Sequence, residues 1–258
     1  MLSLSRRACL LSALLLVSLP LPMSAHADDL VDVVKRVKPA VVAVGTFEQT
    51  RSPSVDFRGT GFVVGDGLSV ITNAHVLPPA LDEARKETLG IFTGDPAAPR
   101  FRQATVEAID REHDLAHLRI GGQPLPTMPL QDSDAVEEGQ TLAFTGFPLG
   151  LLLGLRHVTH RALLSAKTPI SVPATSAKQL DAKMIAQMQR SPFAVFQLDA
   201  TAYPGSSGSP LYDPSTGGVV GIINMVYVKG MKENAISNPS GITYAIPSNY
   251  IRKLMANK

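Results

Sequence analysis

Apolar positions along this chain fall into short runs, some continuous and some alternating with polar residues, and turn-forming residues close each run. Val41–Thr46, Gly61–Val64, Ser69–Thr72, Thr105–Ile109, Leu115–Ile120 and Thr141–Thr145 have this form in the first part. Val158–Ser165, Phe193–Asp199, Val219–Val228 and Gly241–Ile246 have it in the second. Strands so short and so frequent predict an all-β barrel or sandwich and argue against βαβ units. Three segments break the pattern. Asp28 to Val37 reads as an amphipathic helix with acids at its start, Lys35 and Arg36 at its end and Pro39 as its stop, the charge order a helix dipole favours. Thr175 to Gln189 sets Ala177, Leu180, Met184 and Met188 at helical spacing behind a Thr175/Ser176 cap, which predicts a helical insertion. Ile246-Pro247-Ser248 opens a last helix over Asn249–Met255. Gly121-Gly122-Gln123-Pro124-Leu125-Pro126 discourages any regular element and divides the chain into near-equal halves. That hints at two similar modules, although no sequence repeat links them.

The first 27 residues are a separate matter. Arg6 and Arg7 precede the apolar stretch Ala8–Leu19, and Ala25-His26-Ala27 follows as a small-x-small site. This order predicts a secretory signal peptide cleaved after Ala27, with a periplasmic or secreted product, by a general or a twin-arginine export route. Cys9, the one cysteine, lies ahead of the apolar core and would leave with the signal, so neither a lipid anchor nor disulfides are expected. No later apolar run is long enough to span a membrane. The chain is 45% hydrophobic and 18% charged with a net charge of +2. That fits a globular protein and offers nucleic acid no electrostatic footprint.

Chemistry concentrates in Pro204-Gly205-Ser206-Ser207-Gly208-Ser209-Pro210. A serine between glycines in a tight turn can expose its hydroxyl while consecutive N–H groups point at one spot to receive an oxyanion. Such a loop needs a base and an orienting acid. Thr72-Asn73-Ala74-His75-Val76 offers the base, and Asp114-Leu115-Ala116-His117-Leu118 the acid. Of the unrelated scaffolds that build this triad, only the chymotrypsin type runs His, Asp, Ser along the chain.

The motifs extend further. Gly59-Thr60-Gly61-Phe62-Val63-Val64, Asp132-Ser133-Asp134-Ala135-Val136, Gly139-Gln140, Gly146-Phe147-Pro148-Leu149-Gly150, Gln197-Leu198-Asp199-Ala200 and Ala245-Ile246-Pro247-Ser248 fall in order with the segments above. Together they resemble a trypsin-like serine protease of the high-temperature-requirement (HtrA/Deg) type over roughly residues 40–255. The resemblance implies an all-β fold of two chymotrypsin-like six-stranded β-barrels, with short N- and C-terminal helices and the one helical insertion. Residues 28–122 would hold the first barrel with His75 and Asp114, and 123–258 the second with Ser207. His75 would be the general base and Asp114 would orient it. Ser207 would be the nucleophile in the family's G-x-S-G register, and the N–H groups of Gly205 and Ser207 would form the oxyanion hole. The residue before the scissile bond would meet Thr201, Ala202, Asn224, Met225, Val226 and Ile242, with Asn224 also beside Asp114. That uncharged set favours a small or medium aliphatic side chain.

Some positions depart from the family. Ser209 stands where a second glycine is usual, and Ser206 replaces the acid that pairs with a new N-terminus in digestive zymogens, so activation by clipping is not expected. No segment is left for a PDZ module. His113 with His117, and His157 with His160, have spacings a helix could turn into a metal site, but they lie in strand-like sequence; no metal or other cofactor is expected. The expected function is an exported serine endopeptidase acting on proteins or peptides, unfolded or damaged ones foremost. The alternative is a catalytically silent or latent protease-fold protein that binds, chaperones or regulates.

Overall fold

The computed structural model describes residues 29–95, 98–150, 154–169, 193–224 and 241–256. Two closed, antiparallel, six-stranded barrels make up its body. β1 (Val41–Phe47), β2 (Val55–Val64), β3 (Ser69–Asn73), β4 (Thr88–Asp95), β5 (Ala98–Asp110) and β6 (Leu115–Ile120) close in the order β1-β2-β3-β6-β5-β4. β7 (Thr141–Gly146), β8 (Val158–Pro169), β9 (Ala194–Asp199), β10 (Pro210–Tyr212), β11 (Val219–Asn224) and β12 (Ile242–Pro247) repeat that order as β7-β8-β9-β12-β11-β10. The two modules hinted at by the near-equal halves are thus the same topology twice. Helices α1 (Asp29–Val37) and α2 (Ser248–Ala256) flank them.

Several strands are apolar without alternation because both of their faces are buried. In β1, Val42 and Val44 point into the first barrel with Val63, Val70 and Leu118. Val41 and Ala43 face the other way, into a seam shared with Phe62 and Ile71 and with Ala143, Tyr212, Val219 and Ile222 of the second barrel. Full burial of each large side chain stabilises by about 1.5–3 kcal/mol, so this seam is a main source of cohesion between the barrels. His157, on the approach to β8, adds a polar contact there: its Nε2 lies 2.9 Å from the Val41 carbonyl. Burial lowers its pKa, disfavouring the charged ring.

The helices cross over. α1 precedes the first barrel, yet its Val33 and Val37 pack in the seam beside Gly217 of the second, and Arg36 Nη2 donates to Thr216 O at 2.9 Å. α2 follows the second barrel, buries Ile251 and Leu254 in the seam and lies against β5 and β6 of the first. Its Ser248 Oγ donates to Gln131 O and its Arg252 Nη2 to Leu130 O, both at 2.7 Å. The connecting segment binds first one barrel and then the other: Leu125 N to Gly67 O and Met128 N to Val63 O (2.9 Å each), then Gln131 N to Val219 O (2.8 Å).

Two strands were not read from sequence. β4 carries glycines at 90 and 94, and β10 has only three residues beginning with proline. β2 and β5 also begin earlier than expected, in polar stretches. The signal segment 1–27, the predicted helix Thr175–Gln189 and the end of the predicted strand Val219–Val228 lie outside the described residues.

Glu87, just before β4, pins the first barrel's edge. It accepts from Thr46 Oγ1 at 2.5 Å, Arg51 Nη1 at 2.7 Å and Asp82 N at 3.1 Å. Those hydrogen bonds lower its pKa from 4.5 to about 2. A carboxyl depressed by folding contributes stability above its unfolded pKa and loses it as pH falls through the folded one. Stability should therefore drop between about pH 4.5 and 2, and Glu87→Gln should flatten that slope in denaturant titrations. An unchanged slope would contradict this role.

Candidate active site

β3 ends at Asn73, and a single turn, Ala74–Val76, then presents His75. Asp114 closes the β5–β6 turn with φ +53°, a left-handed conformation that few non-glycine residues hold. Both its backbone and its side chain bind the end of β3. The Asp114 carbonyl accepts from Ala74 N and Asn73 Nδ2 at 3.1 Å each. Its carboxylate accepts from His75 N at 2.8 Å and lies 2.5 Å from His75 Nδ1. Asn224, the last residue of β11, crosses from the second barrel to donate Nδ2–H to Asp114 Oδ2 at 2.8 Å. An ionised carboxylate only accepts, so Nδ1 carries the hydrogen and Nε2 is left with its lone pair.

The serine loop runs from β9 to β10. Gly205 (φ +97°) and Gly208 (φ +88°) have no alternative residue: a Cβ on Gly208 would come within 1.8 Å of Thr60 O, and one on Gly205 within 2.4 Å of Phe147 O. Ser206 N donates to Tyr203 O at 2.9 Å, whereas among the described residues the N–H groups of Gly205 and Ser207 on either side donate to nothing. Unbonded main-chain donors are what a receptor for negative charge requires. The Ser206 hydroxyl is buried without a hydrogen-bond partner. Ser209 is also buried, its Oγ lying where a Cβ on Gly146 would be 1.9 Å away; the extra hydroxymethyl fits because residue 146 is glycine.

Thr60 of β2 joins this loop to the first barrel, a role sequence reasoning missed. Its N–H donates to Ser207 O at 2.8 Å and its Oγ1 to Gly205 O at 2.7 Å. The same Oγ1 accepts from Phe147 N at 3.1 Å, and the Thr60 carbonyl accepts from Thr72 Oγ1 at 2.7 Å. Next to it, a Cβ on Gly59 would lie 2.7 Å from Val76 Cγ2 and 3.0 Å from Ser207 O, so the histidine turn and the serine loop close on the same glycine. No hydrogen bond joins the Ser207 hydroxyl to the His75 ring among the described residues.

Of the residues assigned to the substrate pocket, Ala202 is buried, Thr201 half-buried and Ile242 exposed. Thr243 Oγ1 donates to Ala200 O at 2.7 Å and Ala200 N to Gly241 O at 3.0 Å, tying their two segments together. Met225 and Val226 lie outside the described residues. Of the histidines considered for a metal, His113 stacks on Tyr250, His117 is buried in β6 and His160 stacks on Phe144. No group of three or more metal-ligating side chains occurs among the described residues.

A model of the trypsin-like peptidase domain matches residues 59–222. The mitochondrial serine protease HTRA2 of Bos taurus is 30% identical over 251 residues, which cover 94% of this chain and 46% of that protein. Serine protease HTRA1 of Xenopus laevis is 27% identical over 87% of this chain and 42% of its own length. The chain therefore spans less than half of these relatives. The HtrA-type protease AlgW with a decapeptide superposes with a TM-score of 0.62 at 24% identity, over 88% of this chain and 66% of that one. The inactive form of the Rv3671c protease superposes at 0.60 with 21% identity, over 87% and 91%.

Thr60→Val keeps the side chain's shape and leaves Gly205 O and Phe147 N without their partner. Leaving such groups unsatisfied costs about 1–3 kcal/mol. Chemical denaturation should register that loss, and wild-type stability in the variant would contradict the assigned role.

Proposed function

We propose that this chain, which belongs to the trypsin-like peptidase family and is of HtrA type, is a serine endopeptidase working through Ser207, His75 and Asp114. His75 Nε2 takes the Ser207 hydroxyl proton as Oγ attacks the scissile carbonyl. The N–H groups of Gly205 and Ser207 receive the oxyanion, each such donor typically contributing about 3–4 kcal/mol to the barrier reduction. Imidazolium then gives its proton to the departing amine, and water repeats the sequence on the acyl-enzyme. Asp114 holds the tautomer with Nε2 basic and stabilises the imidazolium.

The observation that carries this reading is the carboxylate of Asp114, bound at once by the His75 ring, the His75 main chain and Asn224 from the other barrel. In this reading residues 28–122 supply base and acid, and 123–258 supply nucleophile and oxyanion loop. Residues 1–27 direct export and are removed, and Thr201, Ala202, Met225, Val226 and Ile242 line an uncharged pocket for a small or medium aliphatic residue. Substrates are unfolded or damaged proteins outside the cytoplasm. The unmade bond between Ser207 and His75 favours a second reading of the same site, an enzyme at rest whose nucleophile engages its base only when substrate closes the cleft; catalytic hydrogen bonds often tighten in this way.

Unfolded casein provides the test. His75→Ala and Ser207→Ala should each lower turnover by about 10⁴-fold or more, and the double variant should lose no more than the single ones, because the residues act as a unit. Cleavage by Ser207→Ala at the wild-type rate, or additive losses, would overturn the proposal.

A further inference from the structure

We propose that His113 is a positioning residue for Asp114, locking the acid's left-handed backbone through a three-ring clamp that the C-terminal helix closes. The inference rests on Asp114 orienting His75.

His113 immediately precedes Asp114 and is fixed from two directions. Within the turn, Asp110 Oδ1 accepts from Glu112 N and His113 N at 3.0 Å each, and Asp110 Oδ2 lies 2.6 Å from His113 Nδ1. Outside it, the His113 ring stacks on Tyr250 of α2, with centroids 4.1 Å apart and planes 24° apart. It also meets Phe193, just before β9, edge-on at 4.7 Å, and Phe193 meets Tyr250 at 5.6 Å and 73°. Each ring touches the other two, and each comes from a different part of the chain: the β5–β6 turn of the first barrel, the approach to β9 in the second, and α2. Lys253 Nζ, 5.2 Å from the Tyr250 centroid, lies over that ring.

Asp114 gives this clamp its consequence. A non-glycine residue at φ +53° persists only where its surroundings over-determine it. After Asp114 the chain enters β6 directly, with Leu115 fully buried, so its following side is fixed by the barrel. Its preceding side is fixed by His113. Without the ring clamp the turn can relax toward right-handed backbone angles and carry the carboxylate away from His75. His113 contacts Asp110, Tyr250 and Phe193, so its effect on the reaction runs through Asp114.

The test compares His113→Ala, His113→Phe, Tyr250→Ala and Tyr250→Phe with the wild-type protein. Two readouts ignore mere stability: the fluorophosphonate labelling rate per folded molecule, and the low-field proton resonance of the His75 Nδ1–H to Asp114 hydrogen bond. His113→Ala should slow labelling and lower kcat about 10- to 100-fold, as small misplacements of catalytic groups do, with KM little changed. It should also broaden or abolish the resonance. Tyr250→Ala should do the same more weakly. Tyr250→Phe keeps the ring and should retain wild-type behaviour, and His113→Phe keeps the stack but loses the Asp110 contact and should fall between. Folded His113→Ala and Tyr250→Ala with wild-type labelling and an unaltered resonance would overturn the proposal; if His113→Ala does not fold, Tyr250→Ala decides. Should the wild type resist labelling, that result bears on the state of the nucleophile alone, and the resonance still reports whether the clamp positions Asp114.

Discussion

A base on one barrel can serve a nucleophile on another only if the two bodies are held in fixed register, and a buried seam with a few directional bonds supplies that register here. The seam's apolar part brings Val41, Ala43, Phe62 and Ile71 against Ala143, Tyr212, Val219 and Ile222. Such contacts are strong in sum but tolerate sliding, since burial has no direction. Direction comes from Thr60, whose N–H and hydroxyl reach the serine loop, and from Asn224, which crosses the seam the other way to Asp114. The exchanged helices close the arrangement, each packing on the barrel to which it is not directly joined.

Within this frame the barrels carry little chemistry. Every group proposed to react sits at the end of a strand or in the loop after it, where the backbone departs from ladder geometry: His75 on one turn beyond β3, Asp114 on a left-handed residue before β6, Ser207 between two glycines at positive φ. The support behind these loops is polar and specific. It consists of main-chain bonds from Asp114 to the end of β3, of Thr60 to the serine loop, and of the rings around His113. The site is therefore sensitive to changes that leave every reacting side chain in place.

Strands bounded by turn residues and apolar throughout, such as β3 and β6, were legible in the sequence, as were both terminal helices and the equivalence of the two halves. β10 was not, because three residues opening with proline fall below any periodic signal, and β4 was hidden by its glycines. The serine loop was legible because its glycine spacing has a steric reason that now has distances attached. Thr60 was not, since a threonine within an apolar strand reads as an ordinary β-former. His113 was noticed only as half of a metal-like pair with His117. The structure buries one in β6 and stacks the other on Tyr250.

The central claim is that Ser207, not its neighbour Ser206, is a nucleophile activated by a base on the other barrel. The most direct measurement reacts the folded protein with a fluorophosphonate probe between pH 6 and 9 and maps the adduct by peptide mass spectrometry. A single adduct on Ser207, absent after His75→Ala, is the predicted result. An adduct on Ser206, or on Ser207 at an equal rate without His75, would contradict it.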